Sequence, residues 1–250
     1  MHPLLAECRW PALGAPFDGA LREAVDFVLS RFDVLGLIAT GTIVRGNPDP
    51  TSDIDLVVVH PQPFRQRIQK VFCGVAAEIF VNPPHTIRGY FRSEHAEARP
   101  VTAHMIATGH VLLARDPVFD ELRTEAQAAL SRAPDVEPET LNRRRYEVAT
   151  RLEDARDRLT ADPDTASLML GPAVVAMLRF RMLAAGHFLP RDKDLLGAVE
   201  RLDPDGAALA RRLLRSSDVD ERFDLADRLA DRTIGVRGFY EWDSGPEPQS

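Results

Sequence analysis

Asp53 and Asp55, one residue apart and followed by the apolar run Leu56-Val57-Val58-Val59, are the residues of this chain best placed to do chemistry. In an extended strand, side chains alternate between faces, so the two carboxylates point the same way. Side by side they repel, and each raises the other's pKa. A cation between them removes that cost. Hard oxygen donors favour Mg²⁺, which binds one or two carboxylates together with substrate phosphates. Upstream, Gly41 and Thr42 close an apolar run, and glycine there lets the backbone approach a phosphate. A two-ion site asks for a third acid, and Glu78 stands alone in the apolar run Val75–Asn82. A solitary acid in such a run is costly without a partner. If its strand lies beside that of Asp53, three carboxylates converge as ligands for two Mg²⁺ ions.

Such a set would serve phosphoryl chemistry. One ion would bind triphosphate oxygens and orient the leaving pyrophosphate. The other would lower the pKa of an acceptor hydroxyl lying in line with the α-phosphorus. Glu78 would either ligate the second ion or take the hydroxyl proton as general base, and both roles stay open. Taken singly, these residues have plainer uses. An Asp-x-Asp can be turn chemistry with Asp53 as a cap, and a strand glutamate can be an edge charge facing solvent. The order Gly41-Thr42, Arg45-Gly46, Asp53-x-Asp55, Glu78 is what favours the phosphate reading.

That order resembles the signature of the DNA polymerase β-type nucleotidyltransferase superfamily: a Gly-Ser or Gly-Gly pair after an apolar strand, an Asp-x-Asp after a spacer, and a later acid on a strand. Thr42 replaces the usual serine and keeps its hydroxyl. Val44-Arg45-Gly46 is similar to the Ala-Arg-Gly that often follows the pair. Arg65-Gln66-Arg67, Gly74, Glu78-Ile79-Phe80-Val81-Asn82 and His104–Gly109 extend the likeness to smaller bacterial members with an attached helical domain, similar to aminoglycoside nucleotidyltransferases. It covers the first half of the chain well and the second half only in general shape. The resemblance implies an enzyme that transfers a nucleoside monophosphate from an NTP, ATP by preference, to a hydroxyl of a small molecule, an aminoglycoside-like acceptor included. It implies that Asp53 and Asp55 hold Mg²⁺, that Glu78 completes the site, and that Gly41 and Thr42 cradle the β- and γ-phosphates. Two rival readings keep the fold: AMPylation of a partner protein such as a toxin, and a nucleotide-sensing module without turnover.

Basic residues invite the same scrutiny. Lys193, one of two lysines, sits in Pro190-Arg191-Asp192-Lys193-Asp194 at an expected helix start, where a cation opposes the helix dipole unless a phosphate binds. By resemblance, Lys193 or Arg191 reaches the nucleotide phosphates; the plain alternative is a solvated pair beside Asp192 and Asp194. Arg45 either contacts phosphate or braces its turn. His60 reads as a strand end rather than a ligand, and His104 and His110 lack metal spacing. Arg143-Arg144-Arg145 reads as a solvated helix start. Arg179 and Arg181 are weaker candidates for lining a cleft between domains, where the acceptor is expected.

A net charge of −7 argues against a long polynucleotide partner, which calls for a basic groove. It suits a small cationic acceptor or a protein side chain. Cys8 and Cys73 form neither a disulfide framework nor a zinc site. No apolar run approaches the roughly 20 residues of a bilayer span, and no signal peptide is evident. A cytoplasmic protein with no membrane partner is expected. Neither the acceptor nor the oligomeric state is written in these residues.

The elements that must position the acids alternate between periods. Leu21, Ala24, Val25, Val28, Leu29 and Phe32 mark one face of a helix that Asp18 would cap, after a surface-running segment before Pro16. Strands are expected over 34–40, from Asp53 and from Val75, with a short helix over 63–72. Helices over 83–97, 101–108 and 117–130 surround a brief strand at 111–114. This is the pattern of an α/β (α+β) domain, a mixed sheet with helices. Ala133–Pro138, rich in proline and acid, reads as a linker. Beyond it the periodicity is helical throughout, with Leu141, Val148, Leu152, Ala155 and Leu159 in one stripe and Ala166–Leu183 apolar all round, as in the centre of a bundle. Further helices are expected over 192–202, 205–214 and 220–234. The expected organisation is a nucleotidyltransferase-type domain over 1–133, an acceptor-binding helical bundle over 134–242 and a disordered tail over 243–250.

Overall fold

The computed structural model describes residues 1–46, 48–49 and 51–246. Two compact units divide the chain, Met1–Arg132 and Ala133–Ser250. The expected tail therefore lies outside the described residues from 247 onward.

The first unit is built on a mixed sheet of five strands, β1 (Gly36–Thr40), β2 (Ile54–Val59), β3 (Gln66–Phe72), β4 (Val75–Asn82) and β5 (His110–Ala114), in the order β3-β4-β2-β1-β5. β2 and β4 are parallel; every other neighbour is antiparallel. Strict alternation sends Leu56 and Val58, with Ala77, Ile79 and Val81, to one face. There they bury against α1 (Phe17–Leu29), whose stripe Leu21, Ala24, Val25, Val28 and Leu29 is closed to solvent. Ile38, Val57 and Val59 face the other way. They pack with Ile87 and Phe91 of α2 (Pro84–Ala96), Ile106 of α3 (Val101–Thr108), and Phe119 and Leu122 of α4 (Pro117–Ser131). Both faces of β2 are thus buried along its last four residues, and its second residue, Asp55, lies at the open end.

Three local expectations fail here for identifiable reasons. The segment expected as a helix over 63–72 holds strand β3. It pairs antiparallel with β4 through a two-residue turn, Cys73-Gly74, whose positive φ angles (46° and 80°) fit a type I′ hairpin. Asp18 does not cap α1; Pro16 precedes it without a side-chain bond, and Asp18 pairs with Arg22 one turn on. The residues before Pro16 do not wander: Cys8 is buried, and Leu4, Leu5, Trp10 and Leu13 pack on the core that α1 shares with the sheet.

The second unit contains α5 (Pro138–Arg158), α6 (Pro163–Ala184), α7 (Leu195–Leu202), α8 (Pro204–Arg215) and α9 (Val219–Thr233) around one apolar core. The expected helix over 192–202 is broken, because Asp192–Asp194 form a 3-10 turn before α7 begins. α6 is long and apolar enough by composition to cross a membrane, contrary to the expectation from uninterrupted apolar runs; Pro172, Arg179 and Arg181 interrupt the run but not the helix. Half of its most apolar window is buried in the unit's own core. Asp203 ties the unit together. Its side chain, only 2% exposed, accepts the N–H of Gly206 at 3.0 Å as the cap of α8. It also meets Arg181 of α6 at 3.2 Å and Arg232 of α9 at 2.6 Å.

Candidate active site

β1 carries five buried residues into a turn that begins at Gly41. Gly41 holds φ +90°, a left-handed conformation that a side chain would strain. The same glycine makes room for chemistry, because a Cβ there would stand 2.7 Å from Asp55 Oδ2. The spacer that follows is tied by its own hydroxyls. Thr42 Oγ1 donates to Ser52 Oγ at 2.9 Å, and the Asp49 N–H donates to the same oxygen at 2.9 Å. Asp49 Oδ1 in turn accepts the Thr51 N–H and hydroxyl at 2.8 and 2.7 Å. Asp49, Thr51 and Ser52 were missed as site-shaping residues; Asp-x-Thr-Ser after a glycine turn is the Asx-type signal that marks them. Arg45 is exposed on this turn.

Asp55 stands in the middle of three strands. Its register partner on antiparallel β1 is Thr40, and on parallel β4 it is Glu78. Residues so paired share a face on backbones about 4.8 Å apart, so two of the three expected acids are brought side by side. Asp53 lies one residue before β2 and is exposed.

Glu78 faces β3 as well as β2. Its partner across that antiparallel pairing is Gln69. Oε1 accepts Gln69 Nε2 at 2.7 Å and Arg67 Nε at 3.0 Å, with Arg67 Nη2 at 2.7 Å. Burial opposes ionisation, but the bonds from Gln69 and Arg67 and the guanidinium charge outweigh it and hold the Glu78 carboxyl below the usual range. This answers how an acid is tolerated in an apolar strand: its neighbour on the edge strand compensates it. Arg67 also stacks over Phe80, 4.6 Å from the ring centroid, and Arg65 Nη1 donates to Tyr90 of α2 at 2.7 Å. The helix expected over 63–72 hides Gln69, because that period scatters Arg67 and Gln69 over different faces, whereas the strand brings both to Glu78.

These donors suit a hard divalent cation, since Asp53, Asp55 and Glu78 offer only oxygens and Gly41 leaves the Asp55 carboxylate its space. They are not gathered in advance. Among the described residues no three acid, histidine or cysteine side chains already form a metal-holding group, and Glu78 Oε1 is engaged by Arg67 and Gln69.

The remaining candidates fall elsewhere. His60 is buried at the end of β2, where Nε2 bonds the Phe64 carbonyl at 2.9 Å and burial lowers its pKa despite that bond. His110 bonds the Arg9 carbonyl at 2.8 Å. Lys193 is exposed in the 3-10 turn of the second unit, beside the Arg191–Asp194 pair at 2.8 Å and the Arg179–Asp192 pair at 2.5 Å.

Comparison with known proteins adds to this geometry. The nucleotidyltransferase domain family model matches residues 21–105, from α1 through the turn, β2 and β4 into α3. No curated protein matches the sequence. Among solved structures, the chain is similar to a nucleotidyltransferase-like protein from Exiguobacterium sibiricum 255-15, at 15% identity and a TM-score of 0.53, over 86% of this chain and 73% of that one. At that identity the likeness speaks for the fold.

Proposed function

We infer that this chain, whose residues 21–105 match the nucleotidyltransferase domain family model, works as a DNA polymerase β-type nucleotidyltransferase that transfers a nucleoside monophosphate from ATP to the hydroxyl of a small acceptor. Nucleotidyl transfer is the reaction of such domains; the nucleotide, the metal and the acceptor are our reading. The observation that carries it is the side-by-side pairing of Asp55 and Glu78 next to the Gly41 turn.

The residues divide the work. The left-handed Gly41 turn and the Thr42 hydroxyl receive the β- and γ-phosphates, with Arg45 as a further phosphate contact. Asp53 and Asp55, with Glu78, would hold Mg²⁺, two ions in this reading, and the metal would supply charge neutralisation at the triphosphate and a more acidic attacking hydroxyl. The acceptor hydroxyl gives up its proton as its oxygen bonds the α-phosphorus, to Glu78 where that carboxylate serves as base rather than as metal ligand. The bond from the α-phosphorus to the bridging oxygen breaks, and pyrophosphate leaves with the electron pair. Most of the rate comes from alignment and charge compensation.

Asp55→Asn tests the reading. It keeps the size of the side chain and removes its charge. ATP turnover with Mg²⁺, followed as pyrophosphate release with a panel of hydroxyl compounds, should fall by at least about a hundredfold, with the melting temperature unchanged. Full turnover in a folded Asp55→Asn protein would end the assignment.

A further inference from the structure

The order of the sheet gives the site a direction. Across it run Thr40 and the Gly41 turn on β1, Asp55 on β2, Glu78 on β4, and Gln69 with Arg67 on β3. At about 4.8 Å per strand, β3 lies roughly 14 Å from β1. In an in-line displacement the attacking oxygen and the leaving group lie on opposite sides of the phosphorus. With the β- and γ-phosphates over the Gly41 turn and the α-phosphorus at Asp55 and Glu78, the acceptor must arrive from the β4–β3 side.

That side is not built for a polycation. β3 and β4 together hold one acid, Glu78, and Arg67 already balances it. The face that Glu78 shares carries Arg67, Gln69, Val71 and Phe80, and Arg65 joins it through Tyr90. Val71 is 62% exposed, and the Arg67 side chain is 60% exposed even while paired and stacked on Phe80. A guanidinium held over an aromatic ring, on a side chain still largely open to solvent, is prepared to meet a planar or tetrahedral anion. An amino sugar brought here would meet that guanidinium with like charge.

We propose that the acceptor carries a phosphate or carboxylate group near its reacting hydroxyl, and that Arg67 is the specificity-determining residue that receives this anion. In the free protein Arg67 rests on Glu78; the acceptor's anion competes for it, which loosens Arg67 from Glu78 as the acceptor docks. This rests on the nucleotidyl-transfer reading and narrows it away from aminoglycoside-like acceptors.

The experiment uses the full chain saturated with Mg²⁺ and a non-hydrolysable ATP analogue, titrated calorimetrically with glucose 6-phosphate and, separately, with kanamycin. Glucose 6-phosphate should bind and kanamycin should not. Arg67→Ala should weaken the sugar phosphate by about tenfold or more, and Arg67→Lys should restore part of that loss, with binding of the ATP analogue unchanged in both. Binding of kanamycin in preference, no binding of the sugar phosphate, or equal binding by Arg67→Ala each overturns the proposal. Failure of the ATP analogue itself to bind strikes the underlying reading instead, so the two failures are told apart.

Discussion

Gly41 and Asp55 share one space: the position of a Cβ on the glycine lies 2.7 Å from the Oδ2 of the aspartate. The turn on β1 and the acid on β2 are therefore one device, in which the missing side chain of the first leaves the second its rotamer. Gly41→Ala should suffer twice. The left-handed backbone costs about 1–2 kcal/mol with a side chain present, and the new methyl displaces the carboxylate. ATP turnover should drop by an order of magnitude or more while the protein stays folded, measured as pyrophosphate release beside a melting curve. Wild-type turnover in Gly41→Ala would show that the carboxylate does not need that place.

Glu78→Gln separates the charge of the third acid from its shape. The amide oxygen still accepts from Gln69 and Arg67, and Arg67 is largely exposed, so stability should change by less than about 1 kcal/mol. Turnover should fall by about a hundredfold or more if the group takes the hydroxyl proton or binds metal. Urea unfolding and single-turnover transfer from labelled ATP read the two quantities independently.

Asp203 makes the second unit sensitive to acid. Burial opposes its ionisation, but the Gly206 N–H, Arg232 and Arg181 prevail and hold its carboxyl below the ordinary range. A carboxyl depressed on folding contributes stability in full above its unfolded value of about 3.9, and loses it as pH falls through the folded value. Asp203→Asn keeps an oxygen for the cap and loses the charge, and should destabilise the protein by about 1–3 kcal/mol at pH 7. The gap between wild type and variant should hold constant above about pH 5 and close below about pH 4. A gap independent of pH across that range would show that the charge contributes nothing.

Gly36 is a packing glycine. A Cβ there would stand 2.0 Å from Phe119 Cδ2, so Gly36→Ala must push α4 off β1. A loss of about 1–3 kcal/mol is expected. Phe119→Leu in the same chain should recover part of it, since the two changes act on one contact. Strict additivity in the double variant would contradict this.

Period and punctuation carried much of the fold. The stripe Leu21 to Leu29 and the alternation in Leu56–Val59 each have one cheap physical reading, and α1 and β2 lie there. β3 was not legible in the same way. As an edge strand it buries little, so Arg67, Gln69 and Lys70 show no apolar alternation, and only Cys73-Gly74 announces the hairpin. The partner of Glu78 was hidden for the same reason, because the contact depends on the β3–β4 register rather than on spacing along the chain. Asp203 carried a local signal as a cap before Pro204; its pairing with Arg181 and Arg232 arises only when α6, α8 and α9 pack.

The Cys73-Gly74 hairpin governs a distance it never touches. Its two residues pair Phe72 with Val75, and by counting along the ladder they set Gln69 against Glu78. Were an odd residue gained or lost in that bend, the parity of β3 against β4 would invert, and Arg67 and Gln69 would turn to the other face of the sheet, away from Glu78. The length of a surface bend, odd or even, thus decides whether the glutamate keeps its guanidinium and amide neighbours or stands back to back with them.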